Sequence, residues 1–323
     1  MALNEFELIQ HFFNQRTKHR NDVILGIGDD AAVLNVPFGH ELVVSTDTLV
    51  AGRHFPEATR PEAIGYKALA VNLSDLAAMA AEPAWILLAL TLPQVNEIWL
   101  KKFNKGFFSL MQQFQLQLVG GDLTQGPLTI TVQALGFVPS GKALCRRGAQ
   151  VGDRIYVTGT LGDAGLALAL INNKADFGLT ASQISSVMQR LNRPNPRIEM
   201  GLALRDIASC AIDISDGLVA DLGHLLLTNR VGALVQLEKL PLSASLCALP
   251  QESAWPLALS AGDDYELCFT VPESKERILQ HHLALLNTPY TCIGHIKADP
   301  GLLLLDKKGS VFNSDKTGFQ HFT

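Results

Sequence analysis

Apolar residues Phe6, Ile9, Phe12 and Phe13 recur at helical spacing behind Asn4 and Glu7, a pair that caps helix starts, so residues 1–14 read as an amphipathic helix and not as a signal sequence. Residues 23–25 form a short apolar run that predicts a strand. Residues 32–36 and 41–46 alternate around Pro37-Phe38-Gly39-His40, which predicts a hairpin. Thr59 and Glu62 enclose Pro61 as a capping box opening a helix to about residue 79, and Pro83 closes that stretch. Beyond it the pattern gives a buried strand at 85–92, an amphipathic helix at 97–114, and strands at 117–119 and 128–138. Pro139-Ser140-Gly141-Lys142 reads as a linker, placing a domain boundary near 139–150 and two domains at 1–140 and 150–323. The second half then alternates a strand at 154–158, a helix at 165–172, a strand at 211–214, a helix at 218–227 and a strand at 266–271.

Composition narrows the class. With 26 basic and 31 acidic residues the formal charge is −5, which argues against a nucleic-acid partner. The longest apolar run, Trp85 to Leu90, is far shorter than the roughly 20 residues of a membrane helix. Five scattered cysteines without a CxxC pair suit thiols in a reducing compartment, so the expectation is a soluble, cytoplasmic protein.

Two candidate nucleotide motifs fail. Gly26-Ile27-Gly28-Asp29-Asp30-Ala31 matches the dinucleotide fingerprint, but Pro37 and Gly39 leave no room for the required helix, and two aspartates would face a pyrophosphate. Gly141-Lys142 lacks the rest of a Walker sequence. More informative are the acids Asp30, Asp47, Asp75, Asp122, Asp213 and Asp216, which occupy otherwise apolar or tightly turning stretches. Asp47, Asp122 and Asp213 each read as the end of a strand, where sites are commonly built. Taken singly, each acid reads equally as a metal ligand and as a turn cap or surface charge. Brought together, they would repel unless divalent cations neutralised them, and Mg2+, which needs only one or two protein carboxylates beside water and phosphate oxygens, suits scattered acids.

The words containing these acids, Gly26-Ile-Gly-Asp-Asp-Ala-Ala-Val-Leu, Ser45-Thr-Asp-Thr-Leu-Val-Ala-Gly-Arg-His-Phe, Asn72-Leu-Ser-Asp-Leu-Ala-Ala-Met, Gly120-Gly-Asp-Leu-Thr-Gln-Gly-Pro, Ala211-Ile-Asp-Ile-Ser-Asp-Gly-Leu and Gly262-Asp-Asp-Tyr-Glu-Leu, resemble the thiamine-monophosphate kinase family from about residue 5 to 322. The resemblance implies an α+β, two-domain aminoimidazole ribonucleotide synthetase-like fold. Its N-terminal sheet-and-helix domain binds ATP and Mg2+ and dimerises, and its C-terminal α/β domain completes the phosphate, metal and substrate site. It implies transfer of the ATP γ-phosphoryl group to thiamine monophosphate by a homodimer, with several Mg2+ ions. Carried over residue by residue, Asp30, Ser45, Thr46, Asp47, Asp75, Asp122, Asp213 and Asp216 hold metal; Gly121, Asp122, Arg146 and Ser215 touch ATP; His54, Asp263 and Phe319 line the thiamine side. The family often has Gly-Glu-Asp at Gly262-Asp263-Asp264 and a larger aromatic at Phe319, so the substrate side departs most from its pattern.

The implied chemistry is self-consistent. Phosphoryl transfer needs positioning and positive charge more than covalent help, and an acceptor phosphate monoester is already largely an oxyanion at neutral pH, so no residue is nominated as a general base. Arg146 and Arg147 each read as a forked phosphate contact or as an exposed basic residue, the contact favoured at Arg146 and the exposed residue at Arg147. The glycines of Thr158-Gly-Thr-Leu-Gly-Asp-Ala-Gly read equally as an anion cradle and as a plain strand-to-helix turn. An aromatic such as Phe319 and an acid such as Asp263 suit the permanent positive charge of a thiazolium ring. A segment 1–21 without glycine or cysteine and a non-cysteine end at 320–323 argue against the selenophosphate synthetase and hydrogenase-maturation relatives. The rival of another class is a module that binds Mg-ATP without turnover.

Overall fold

A computed structural model describes residues 4–14, 19–172, 177–314 and 318–319. The chain divides into one unit of residues 1–76 and 81–141 and another of residues 77–80 and 142–323.

The first unit opens with α1 (Glu5–Phe12), whose capping box forms as expected: Glu7 N donates to Asn4 Oδ1 and Asn4 N to Glu7 Oε2, each at 2.9 Å. β1 (Val23–Leu25) follows, but the predicted hairpin does not form. β2 (Val33–Leu34) turns back onto β1, while β3 (His40–Val50) runs antiparallel to β6 (Thr129–Pro139) over its whole length. The reason is ladder length, since an eleven-residue partner satisfies far more backbone groups than a two-residue one. The predicted capping box at Thr59 also shifts: α2 (Pro61–Ala78) starts with Pro61 as its first residue, and the Arg60 carbonyl accepts the first bonds from Ala63 N and Ile64 N. Pro83 does not end an element but lies inside β4 (Glu82–Leu92), and α3 (Glu97–Gln113) and β5 (Gln117–Gln125) complete the unit.

The sheet order is β3-β6-β4-β5, with β5 parallel to β4. α2 is mostly apolar and almost wholly buried, with Lys67, Asn72 and Ser74 among its buried residues. It crosses α3 at reciprocal glycines, where a Cβ on Gly65 would lie 2.2 Å from Phe103 O and one on Gly106 1.8 Å from Glu62 O. Strand residues alternate accordingly: Ile86, Leu88, Leu90 and Leu92 are buried, while Leu87, Ala89 and Thr91 are half-buried. At one end of the sheet Trp85 and Phe137 pack against Val23, Leu34 and Val36 of the β1–β2 segment.

The second unit holds a six-stranded sheet built from β7 (Arg154–Thr158), β8 (Cys210–Ile214), β9 (Gly232–Gln236), β10 (Glu266–Val271), β11 (Tyr290–Lys297) and β12 (Gly301–Leu305) in the order β12-β9-β11-β7-β10-β8. Only the β12–β9 pair is parallel. The helices α4 (Asp163–Ile171), α5 (Ala181–Asn192), α6 (Ile198–Ala203), α7 (Leu218–Asn229), α8 (Ala244–Cys247), α9 (Gln251–Ser260) and α10 (Glu276–Leu283) complete it. One core joins α7 and α9 to the sheet through Leu222, Leu225, Ala258, Ile212 and Val157, and a second lies among α4, α5 and α8.

Candidate functional site

In the first unit a cavity of about 960 Å³ lies over the sheet face turned away from α2. Its floor is set by two cross-strand rows, Thr46–Gln133–Leu87–Gly120 and Thr131–Ala89–Asp122, and its walls by α1 and residues 27–32. Asp30, Thr46, Gly121 and Asp122 therefore share one cavity. Asp30 sits in a tight bend where its N–H donates to Asp29 Oδ1 at 3.0 Å, and no helix follows Gly28, as the rejection of the dinucleotide fingerprint requires.

Sheet pleating separates three adjacent predicted ligands. Thr46 faces the cavity and accepts from Gln133 Nε2 at 3.1 Å. Ser45 and Asp47 face α2, where Ser45 Oγ donates to Asp75 Oδ2 and Asp47 N donates to Asn72 Oδ1 at 3.0 Å. Thr46 and Asp122 lie on opposite edge strands, three strand spacings or roughly 14 Å apart. One ion with bonds of roughly 2 Å cannot touch both, so the predicted ligands of this unit form separate groups. The strand-end expectation needs correction at Asp47 and Asp122, which lie inside strands that continue three residues past them, whereas Asp213 is the last residue but one of β8. At Asp122 the strand continues because Gly120 and Gly121 follow a bulge that lets β5 stay paired with β4. His54 is half-buried in a turn after β3, and its Nδ1 accepts from Val50 N at 2.9 Å, which leaves the proton of the neutral ring on Nε2.

The second unit gathers its predicted residues by main-chain bonds. Asp213 is buried in β8, and Ser215 and Asp216 follow in the turn to α7. Asp263 N donates to Ser215 O at 2.8 Å, and Phe319 N to Asp216 O at 3.1 Å. Glycines make this approach possible: a Cβ on Gly262 would lie 2.6 Å from Ser215 O, and one on Gly318 2.9 Å from Asp216 O. Ser215, Asp216, Asp263 and Phe319 thus form one cluster. Arg146 stays exposed, its carbonyl held by Asn229 Nδ2 at 2.7 Å, and Arg147 is exposed as expected. The glycine turn after β7 serves packing: Gly162 N donates to Asp264 Oδ1 at 2.8 Å, and Gly159 leaves room for Glu266.

Several organising residues escape sequence reading. Asp221 Oδ2 accepts from the N–H groups of Ser215, Asp216 and Gly217 at 3.0 to 3.1 Å and so fixes the turn that carries Asp216. Burial, with a contribution from the Asp216 charge, pushes its carboxyl up to about 7 against those donors. Its only signal was an acid in the first turn of a helix. Asn72, fully buried in α2, ties that helix to β3, and its signal was a polar residue in an apolar helix.

The donors are all oxygens and suit a hard cation such as Mg2+. Among the described residues no three His, Cys, Asp or Glu side chains lie close enough to cage a metal. An ion completed by water and phosphate oxygens needs no such cage.

Residues 28–138 match the AIR synthase related protein, N-terminal domain, and residues 150–305 the corresponding C-terminal domain, so fold and site define a two-domain chain of the AIR synthase related class. The chain is 49% identical to thiamine-monophosphate kinase of Escherichia coli K12, covering 100% of this chain and 99% of that protein. The thiamine-monophosphate kinase structure from Stenotrophomonas maltophilia is 46% identical with a TM-score of 0.87, covering 97% and 99% of the two chains. AaThiL complexed with AMPPCP and TMP is 30% identical with a TM-score of 0.77, covering 100% and 99%. The chain belongs to the thiamine-monophosphate kinase family.

Proposed function

We propose that this protein is an ATP-dependent kinase that transfers the γ-phosphoryl group to thiamine monophosphate, giving thiamine diphosphate and ADP. The observation that carries the reading is the full-length likeness to thiamine-monophosphate kinases, which spans every acid-bearing word of the sequence. The acceptor phosphate oxygen forms the new bond to the γ-phosphorus as the β–γ bridge breaks toward ADP. The acceptor monoester has a second pKa near 6, so at neutral pH it attacks as an anion without a protein base.

The residues divide the work. In the first unit Asp30, Ser45, Thr46, Asp47, Asp75 and Asp122 supply oxygen donors, and Gly121 brings the backbone close to the triphosphate. In the second, Asp213 and Asp216 supply carboxylates, Ser215 and Arg146 contact phosphate, and Asp263 and Phe319 face the thiamine, a role that His54 of the first unit also takes. These carboxylates would hold several Mg2+ ions, which would supply positive charge to offset the phosphate oxygens. The protein works as a cytoplasmic homodimer whose first units pair through their sheets; Leu42 and Val44, 47% and 49% exposed on edge strand β3, support that pairing. No described helix is long and apolar enough to cross a membrane.

The test is an assay of a panel of phosphorylated acceptors with and without Mg2+, on the parent and on Asp122→Asn and Asp213→Asn. Thiamine diphosphate and ADP should form one to one only with Mg2+, and each variant should stay folded while losing most activity. ATP binding without turnover by folded parent protein would favour the binding module instead.

A further inference from the structure

The segment from Gly262 to Tyr265, which carries Asp263, holds an unusual backbone. Gly262, Asp263 and Tyr265 have φ of +73°, +63° and +50°, a left-handed conformation that is unfavourable for an aspartate or a tyrosine. Such a conformation persists only where the surroundings impose it. Part of the imposition comes from below: Asp263 N and Tyr265 N donate to Ser215 O and Ile214 O, both at 2.8 Å, and buried Asp264 accepts from Gly162 N. Side chains alternate in this segment, Asp264 and Glu266 buried, Asp263 and Tyr265 half-exposed.

The rest comes from a buried ionic node that the transfer reaction does not call for. Glu266, the first residue of β10, is 0% exposed. Arg197 grips it with a fork, Nε to Oε2 and Nη2 to Oε1, both at 2.6 Å. Arg190, on α5, donates Nη2 to Oε1 at 2.6 Å and reaches the main-chain oxygen of Asp264 at 3.4 Å, and Thr158 Oγ1 donates to Oε2 at 2.6 Å. Thr158 Oγ1 in turn accepts from Leu267 N at 2.8 Å. These bonds pin the residue on the C-terminal side of the strained segment from β7, from α5 and from the start of α6.

A pair of arginines around one carboxylate is a poor stabilising device, because burying the charges costs about what their attraction returns. It is a good locating device, since forked bonds fix direction as well as distance. We infer that the Arg190–Glu266–Arg197 node positions Asp263 for the phosphorylated acceptor, so that Glu266 and Arg190 are positioning residues for acceptor binding and not for ATP. This rests on the assignment of thiamine monophosphate as acceptor and of Asp263 to its side of the site.

The experiment measures KM for thiamine monophosphate and for ATP separately in the full-length parent, Arg190→Lys and Glu266→Gln, with thermal unfolding alongside. Arg190→Lys keeps a charge while the Arg197 fork still satisfies Glu266, and it should raise KM for thiamine monophosphate about tenfold with KM for ATP within twofold of the parent. Glu266→Gln should raise it further, and if that variant does not fold, Arg190→Lys decides alone. Equal changes in both KM values, or none in a folded Arg190→Lys protein, overturn the positioning role while leaving the kinase reading intact. A folded parent that makes no thiamine diphosphate overturns the kinase reading and this role with it.

Discussion

Gly120 and Gly121 are neighbours in β5, and only the second is required to be glycine. A Cβ on Gly121 would lie 1.9 Å from Leu88 O on a backbone with φ of +153°, whereas one on Gly120 would meet only Leu87 Cδ2 at 3.5 Å. Ordinary contact begins near 3.4 Å, so a methyl group at 121 must open the β4–β5 gap by about 1.5 Å. Leu88 O cannot retreat, because β4 is paired on both sides, and edge strand β5 has to move. Overpacking of this kind costs about 1–3 kcal/mol, a fall in Tm on the order of 5 °C. The displacement falls on the residue before Asp122, and a shift of about 1 Å in a reacting constellation lowers turnover roughly a hundredfold. Gly121→Ala should therefore lose about two decades of kcat/KM for ATP together with some stability, while Gly120→Ala stays within about threefold of the parent. Melting curves and initial rates on both variants measure this. Matching behaviour of the two alanine variants would refute the backbone-contact argument.

Two further predictions concern stability and reactivity. Asp22 accepts from Arg20 Nε and Nη2 at 2.9 and 2.7 Å and from Trp85 Nε1 at 2.9 Å; burial pushes its carboxyl up, but these partners outweigh it and hold it below 3.8. Its contribution is thus complete above that value and disappears as pH falls through the lowered pKa, so urea titrations should show Asp22→Asn destabilised at pH 7 and level with the parent in strong acid; a gap independent of pH would contradict this. Among the thiols, Cys145 and Cys247 are exposed, while Cys210 and Cys268 are buried and burial pushes Cys210 up to about 11. A thiol reagent at pH 8 should label Cys145 and Cys247 quickly and reach Cys210 and Cys268 only on unfolding, and peptide mapping that finds Cys210 labelled in the native protein would disprove the packing described.

Much of this was legible along the chain because the signals were local. The capped helix at α1, the apolar runs of β4 and β10 and the amphipathic α3 follow from periodicity and turn chemistry within a few residues. Partner choice was not local. Proximity suggested that β3 pairs with the strand before it, but a ladder with a strand some ninety residues away satisfies more of its backbone, as Ser45 opposite Ala134 shows. Strand ends were misplaced at Asp47 and Asp122 for a related reason, since a glycine or a polar residue interrupts the pattern without interrupting the hydrogen bonds.

The sequence by itself determined which carboxylates, hydroxyls and glycines the protein possesses, and their ordered words were specific enough to point to a family. Only the tertiary structure decided that Thr46 turns toward the cavity while Ser45 and Asp47 turn toward α2. It alone joined Ser215 and Asp216 to Asp263 and Phe319, and locked Glu266 between two arginines. The physical reason is that composition sets what a side chain can bond, whereas pleating, strand order and close backbone approach set what lies within about 3 Å of it.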